Sequence, residues 1–110
     1  MPTINPKILE ADKVFDKALS QSVQDTNVSE EAIRDTFNET VAQARGAYSG
    51  RVLILGLSQA DNMHREDIDR ALKIREEAQE QVFRIMMENF DLLNKAYYEA
   101  VGEAQDDNRG

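Results

Sequence analysis

Apolar residues recur every three or four positions along most of the chain, which is the spacing of an amphipathic α-helix. The longest such segment is residues 61–101, where no Gly or Pro interrupts a run of good helix formers. Its apolar positions lie on average about 3.67 residues apart, the period of a straight or slightly right-handed stripe. Such a helix would be roughly 60 Å long, whereas a compact 110-residue domain has a radius of gyration of about 13 Å. The mismatch predicts an elongated molecule whose long helix contacts further copies or other proteins.

Two more amphipathic helices are predicted before this segment, over residues 6–23 and 30–55. Asn5 and Pro6 are typical of an N-cap and a first helical position, because Asn accepts hydrogen bonds from free N–H groups and Pro lacks the unpaired donor. Ser29, followed by two glutamates, predicts the second N-cap. The polar residues 24–27 are predicted to form a loop between the two helices.

Gly56 is the predicted C-cap of the second helix, because glycine readily takes the left-handed conformation. The turn would occupy residues 56–61, and the third helix would end near Val101. We therefore expect an all-α fold that is three-helix bundle-like: an elongated antiparallel helical hairpin with an extra N-terminal helix and a long C-terminal helix. It would form a single domain over residues 1–103, followed by a flexible acidic tail over 104–110. We find no internal repeat.

The chain has 13 Lys and Arg against 21 Asp and Glu, a net charge of −8. This balance argues against direct binding to nucleic acids or anionic membranes, where basic residues supply most of the affinity. The longest apolar run, residues 52–55, is far shorter than the roughly 20 residues that span a bilayer. The chain has no cysteine, so disulfides and thiolate metal sites are excluded. We expect a cytoplasmic protein, or one exported without a cleavable signal peptide.

A row of small residues, Ala42, Gly46 and Gly50, falls at intervals of four in the second predicted helix. Such a row allows another helix to approach closely, and a seam between subunits is one interpretation of it. Alternatively, the two glycines interrupt the helix at this point.

Tyr48-Ser49-Gly50 resembles the Trp-x-Gly turn of the small helical-hairpin proteins that are exported by type VII secretion, with Tyr in the place of Trp. The resemblance covers these three residues and implies a hairpin turn at residues 48–50. The chain departs from the family in its last part, where neither Tyr97 nor Tyr98 has an acidic residue four positions later. The residues themselves favour a turn at 56–61 instead.

Two apolar clusters are candidates for helix–helix contacts. The apolar residues of 51–57 point all round a helix, so one stripe cannot bury them all, and the first helix or another subunit would cover them. A short strand at this point is a third possibility. The second cluster lies on two faces of the third helix, against the first helix or a partner. With the small-residue row, the predicted interface residues are Ala42, Gly46, Gly50, Val52, Leu53, Leu55, Leu57, Ile85, Met86, Phe90, Leu93 and Tyr97.

The single histidine, His64, lies three residues after Asp61. A carboxylate and an imidazole occur at this spacing in helical metal sites, but a di-iron bundle needs two such pairs and further inward-facing glutamates. The other acidic residues nearby alternate with Lys and Arg at exposed spacing. We therefore predict no metal, no cofactor and no catalytic residues, and a metal-dependent helical enzyme is the least favoured alternative.

The function that these patterns favour is non-enzymatic: a structural or interaction protein that self-associates through long amphipathic helices, in the manner of a coiled coil. It would be a subunit of an oligomeric assembly or of a secretion-associated apparatus, or a small helical chaperone or adaptor with another protein as partner. The alternative is an acidic inhibitor, like some phage-encoded or antitoxin-like proteins, that occupies a basic nucleic-acid-handling protein.

Overall fold

The computed structural model describes the backbone of residues 5–109 and the side chains of residues 5–106. Helix α1 spans Pro6–Leu55 and helix α2 spans Leu57–Arg109, with Gly56 between them. The described residues contain no strand. The predicted all-α class and the helical hairpin are thus confirmed. The three-helix arrangement is wrong, because the expected extra N-terminal helix is the first part of α1.

The two predicted caps are present at the start of α1 and at the hairpin turn. The side-chain Oδ1 of Asn5 accepts a hydrogen bond from the backbone N–H of Lys7 at 2.9 Å, as an N-cap does. Gly56 has a φ of 87°, a conformation that residues with a Cβ rarely adopt. The N–H of Gly56 donates to the Val52 carbonyl at 3.1 Å, and its own carbonyl accepts from the N–H of Ala60 at 3.0 Å. One residue therefore ends α1 and begins the hydrogen bonding of α2.

The predicted loop at residues 24–27 is wrong, because α1 continues through it. Polar side chains here find partners on the helix itself. The Thr26 hydroxyl donates to the Ser22 carbonyl at 2.9 Å, and the Gln21 amide donates to Asp25 at 3.0 Å. Ordinary polar residues cost a helix at most about 0.7 kcal/mol each, and no Gly or Pro occurs between residues 7 and 45. Ser29, the predicted second N-cap, is an interior residue of α1.

Both helices pass through positions that were expected to interrupt or end them. Gly46 and Gly50 lie inside α1, so residues 48–50 form no turn and the resemblance to the type VII hairpin proteins is not supported. Helix α2 starts at Leu57 rather than near residue 61, and it continues through Gly102 to Arg109. Of the predicted tail, residues 104–109 are helical, and residue 110 lies outside the described residues.

The contacts divide the chain into two units, which we describe separately. Unit 2 is Val28–Val82, a hairpin around Gly56; unit 1 pairs the described residues of Met1–Asn27 with those of Phe83–Gly110. Within each unit the α1 and α2 segments run in opposite directions. The pairs that show this are Asn5–Ala104 and Phe15–Tyr97 in unit 1, and Phe37–Arg75 and Tyr48–His64 in unit 2.

The buried residues among those described in both units are alanines. Ala11, Ala44, Ala60, Ala71 and Ala104 have between 0% and 9% of their surface exposed. In each helix these alanines belong to a set of positions spaced 11 residues apart, which we call the inner series. The inner series consists of residues 11, 22, 33 and 44 of α1 and residues 60, 71, 82, 93 and 104 of α2. Small side chains there bring two helices close together. None of the large side chains described is fully buried, so these interiors are thin.

Candidate interaction surfaces

Two contacts between the helices of unit 2 pair a polar or charged side chain with an aromatic ring. The Tyr48 and His64 rings have centroids 5.4 Å apart, and the guanidinium carbon of Arg75 lies 4.3 Å from the centroid of the Phe37 ring, a cation–π contact. In each pair the two residues are equally far from Gly56 along the sequence. The one-residue turn therefore sets the register in which these helices pair.

Two polar links join the helices of unit 2 near the turn. Arg51 Nη1 of α1 lies 2.6 Å from Asp67 Oδ2 of α2, and Arg70 Nη1, on the same helix as Asp67, lies 3.5 Å from Asp67 Oδ1. The hydrogen bond from Arg51 holds the pKa of Asp67 below its ordinary value of 3.8. The Tyr48 hydroxyl donates to Asp61, and this bond raises the pKa of Tyr48 above 10.0. Asp61 is therefore already engaged by a tyrosine.

Unit 1 is held by contacts between residues far apart in the sequence. The Tyr97 ring packs on Phe15 with centroids 5.4 Å apart, and its hydroxyl donates to Asp12 Oδ1 at 2.6 Å. That hydrogen bond raises the pKa of Tyr97 above 10.0. The side-chain amide of Asn5 donates to the Ala104 carbonyl at 3.2 Å. Tyr97 thus links the two helical segments of unit 1.

The interface residues predicted in the second half of the chain fall into two groups. Met86, Leu93 and Tyr97 are half-buried within unit 1, and Leu93 and Tyr97 also line its groove. Ile85 and Phe90 are 49% and 41% exposed and remain available to another molecule. An interface with another chain at these positions stays a prediction.

The hairpin turn is surrounded by exposed aliphatic residues. Leu53 is 87% exposed, Ile54 82%, Leu57 61% and Leu55 40%, while Val52 is half-buried. The predicted cover by a separate first helix is wrong, because there is no such helix, and the possible strand is wrong, because these residues are helical apart from Gly56. The predicted subunit interface at the turn stays a prediction.

The small-residue row of Ala42, Gly46 and Gly50 lies on the outside of α1. All three residues are exposed, and a Cβ built on either glycine would have no neighbour within 4 Å. The row therefore does not form the close helix–helix contact within unit 2, which the alanines of the inner series form instead. Contact with another subunit there stays a prediction.

Each unit has an apolar groove along one side of its helix pair. The groove of unit 1 has a volume of about 450 Å³ and that of unit 2 about 230 Å³. Both grooves include the positions three residues after the inner series: Val14 and Ala96 in unit 1, and Thr36 and Ile74 in unit 2. The unit 1 groove is lined mainly by Ala11, Val14, Phe15, Leu93, Ala96, Tyr97, Ala100 and Ala104.

A ridge of large exposed residues lies on α2 in unit 1. We use this name for Phe83, Met87, Phe90 and Tyr98, which are 60%, 42%, 41% and 71% exposed. At about 100° per residue, they lie on the opposite flank of α2 from Ala96, which lines the groove. Unit 1 therefore has a groove floored by small residues on one side and projecting aromatic and Met side chains on the other.

Sequence reasoning missed the 11-residue repeat, and charged residues carry the signal that could have revealed it. Three exposed acid–base–acid triplets at i, i+4 and i+8 follow one another along α2, each shifted by 11 residues. Oppositely charged residues at i, i+4 support a solvent-exposed helix face. The triplets therefore mark the side of α2 that faces water. They are Asp69–Lys73–Glu77, Glu80–Arg84–Glu88 and Asp91–Lys95–Glu99.

His64 and Asp61 are not brought together with further metal ligands. His64 packs on Tyr48, and its Nδ1 is buried without a hydrogen-bond partner. Across the part of the chain that the structure describes, no group of three or more His, Cys, Asp or Glu side chains is placed to hold a metal ion. Neither described helix contains an apolar stretch of the length and hydrophobicity needed to cross a membrane.

These observations define a class of protein: an all-α chain of two long helices that pair in opposite directions over a thin, alanine-lined interior. Comparisons with models of protein families, with curated proteins and with solved structures found no match. We therefore infer the function from the surfaces of the two units.

Proposed function

We propose that this chain is a non-enzymatic interaction protein whose role depends on self-association through its helices. The observation that carries the proposal is the distribution of its apolar residues. Among the residues whose side chains the structure describes, the buried positions hold only alanines, while Phe83, Ile74 and Leu92 are 54–65% exposed. Burying a large apolar side chain is worth about 1.5–3 kcal/mol. A second molecule therefore offers a stabilisation that the thin interior of each unit does not supply.

The apolar surface of unit 1 supports a second copy as the molecule that covers these residues. Its exposed side chains include Phe83, Leu92 and Tyr98, at 60%, 65% and 71%, and the same pair of helices carries an apolar groove. A second copy therefore offers apolar surface of the kind that homodimer interfaces bury.

Within this proposal, the protein acts as a subunit of an oligomeric assembly, of which a secretion-associated apparatus is one kind, or as a small helical chaperone or adaptor. The alternative of an acidic decoy is less well supported by the surface. On the outward face of α2, acidic residues alternate with Lys73, Arg84 and Lys95, whereas a mimic of nucleic-acid phosphates needs a field of one sign.

Sedimentation equilibrium across a wide range of protein concentration tests the proposal. We expect the mass to rise above that of one chain as concentration rises, and Phe90→Glu to weaken the association at least tenfold, because it places a charge among exposed apolar residues. Gln24→Glu is the matched control: it adds one negative charge at an exposed polar position of unit 1 and should leave the mass unchanged. A wild-type chain that stays monomeric at every concentration would refute the proposal.

A further inference from the structure

The two flanks of unit 1 have complementary shapes. One flank is a groove of about 450 Å³, with Ala96, Ala100 and Ala104 leaving room between the helices. The other carries the ridge of Phe83, Met87, Phe90 and Tyr98. Large side chains that project from one helix pack best into spaces left by small side chains on another. Each copy of the chain therefore carries both halves of one apolar contact.

We propose that the ridge of one copy packs into the unit 1 groove of a second copy. This inference rests on the proposed self-association and assigns the surfaces that carry it. Because the ridge and the groove occupy opposite flanks of α2, one copy uses its ridge while its groove stays open for the next. The contact is heterologous, so it adds copies head to tail and builds a ring or an open filament rather than a closed two-fold dimer.

The period of the helices favours a copy of this chain over an unrelated helix as the occupant. Groove residues such as Leu93 and Ala104 repeat at 11 positions, and so do the ridge residues Met87 and Tyr98. A helix with an ordinary seven-residue repeat drifts by about 20° per heptad relative to a straight helix, so its apolar stripe would stay in phase with the groove over fewer turns. A second copy of α2 has the matching period, and its ridge supplies large side chains for a groove that contains several alanines.

A mixing experiment with two full-length variants tests this assignment. Phe90→Glu disables the ridge and leaves the groove, whereas Ala96→Glu disables the groove and leaves the ridge. We expect each variant alone to be monomeric at concentrations where the wild type assembles. Mixed in equal amounts, they should form a heterodimer and stop there, because the intact ridge of Ala96→Glu meets the intact groove of Phe90→Glu. Circular dichroism should show unchanged helix content in each variant.

Three results would overturn the ridge-in-groove contact while leaving self-association in place. They are an Ala96→Glu chain that assembles like the wild type, a Phe90→Glu chain that does so, and a mixture that stays monomeric while both variants remain folded. A wild-type chain that never assembles would instead remove the proposed function itself, and the contact with it.

Thiol labelling keeps the test decisive if a charged variant fails to fold. The chain has no cysteine, so Ala96→Cys and Ser20→Cys each introduce a single thiol at an exposed position of unit 1. As the concentration rises through the range of assembly, reaction of Ala96→Cys with a maleimide should slow at least tenfold, and that of Ser20→Cys should not. Equal rates for Ala96→Cys in the dilute and the assembled protein would refute the contact.

Discussion

Units 1 and 2 share the inner series but hold their helices together by different means. Unit 2 closes around Gly56, and its links join residues close in sequence, 13 positions apart for Tyr48–Asp61 and 16 for Arg51–Asp67. Unit 1 joins the two ends of the chain, and its link from Tyr97 to Asp12 spans 85 positions. It also has the ring contact between Phe15 and Tyr97 and the apolar side chains along its groove.

The difference follows from the entropy of closing a loop. Closing a short loop costs less conformational entropy than closing a long one, by about 0.6 kcal/mol for each doubling. Polar contacts that are individually weak therefore suffice beside the turn. The distant segments of unit 1 depend on larger apolar groups such as Phe15 and Leu93, and on unit 2 keeping the chain reversed. We therefore expect unit 1 to open at lower free energy than unit 2.

The largest expected effect comes from truncating equivalent half-buried residues of the inner series, Leu93 in unit 1 and Ile33 in unit 2. Each change to Ala should lower the free energy of unfolding by about 2 kcal/mol, near the lower end of the range for core truncations. Hydrogen exchange at fixed protein concentration should then show different patterns. Leu93→Ala should speed exchange in unit 1 alone, and Ile33→Ala in both units. The same pattern for both variants would contradict the difference between the units.

An intermediate effect is expected at the turn of unit 2. Gly56→Ala places a Cβ at a φ of 87° and should cost about 1–2 kcal/mol, measured by thermal or urea unfolding. Gly50→Ala is the matched control, because this glycine lies in α1 with open space around it. That change should stabilise the protein by about 0.5–1 kcal/mol. If Gly56→Ala were also stabilising, the assignment of this residue as the cap of α1 would be wrong.

The smallest expected effect is a change of stability with pH. It distinguishes the ion pair of Asp67 from the tyrosine–aspartate hydrogen bonds, because the two kinds of contact are lost at opposite ends of the pH range. The pKa of Asp67 is lowered in the folded protein, so its contribution is present above about pH 3.8 and is lost as pH falls through the folded-state pKa. The pKa values of Tyr48 and Tyr97 are raised. Their contributions are present below about pH 10.0 and are lost as pH rises through the folded-state values.

Hydrogen exchange along the pH series assigns these losses to the units. Acid should weaken unit 2 in the wild type, and Arg51→Gln should remove that component because Arg51 is the main cause of the Asp67 shift. Tyr97→Phe should remove an alkaline component in unit 1, and Tyr48→Phe one in unit 2. If unit 2 of the Arg51→Gln variant loses as much stability in acid as unit 2 of the wild type, a carboxylate other than Asp67 causes the loss.

The sequence allowed the caps to be predicted, because Asn5, Pro6 and Gly56 act through local backbone chemistry. It misled at residues 24–27, where low helix propensity predicts a loop. Thr26 and Ser22 occupy positions that face α2, and pairing along a continuous 11-residue series outweighs small local preferences.

The interface residues were predicted only in part. Whether Leu93 faces a residue of its own chain or another copy depends on the register in which the two helices pair. The position of the turn at Gly56 fixes that register, and the identity of a single residue does not show it.

The 11-residue period has a consequence for how such a chain changes in length. Eleven residues make close to three complete helical turns, so removing one block from each helix leaves every remaining side chain on nearly the face it had before. The blocks must be equally far from Gly56, as residues 34–44 and 68–78 are. Shorter and longer versions of the molecule are therefore accessible by paired deletion or duplication, with the turn and both ends untouched.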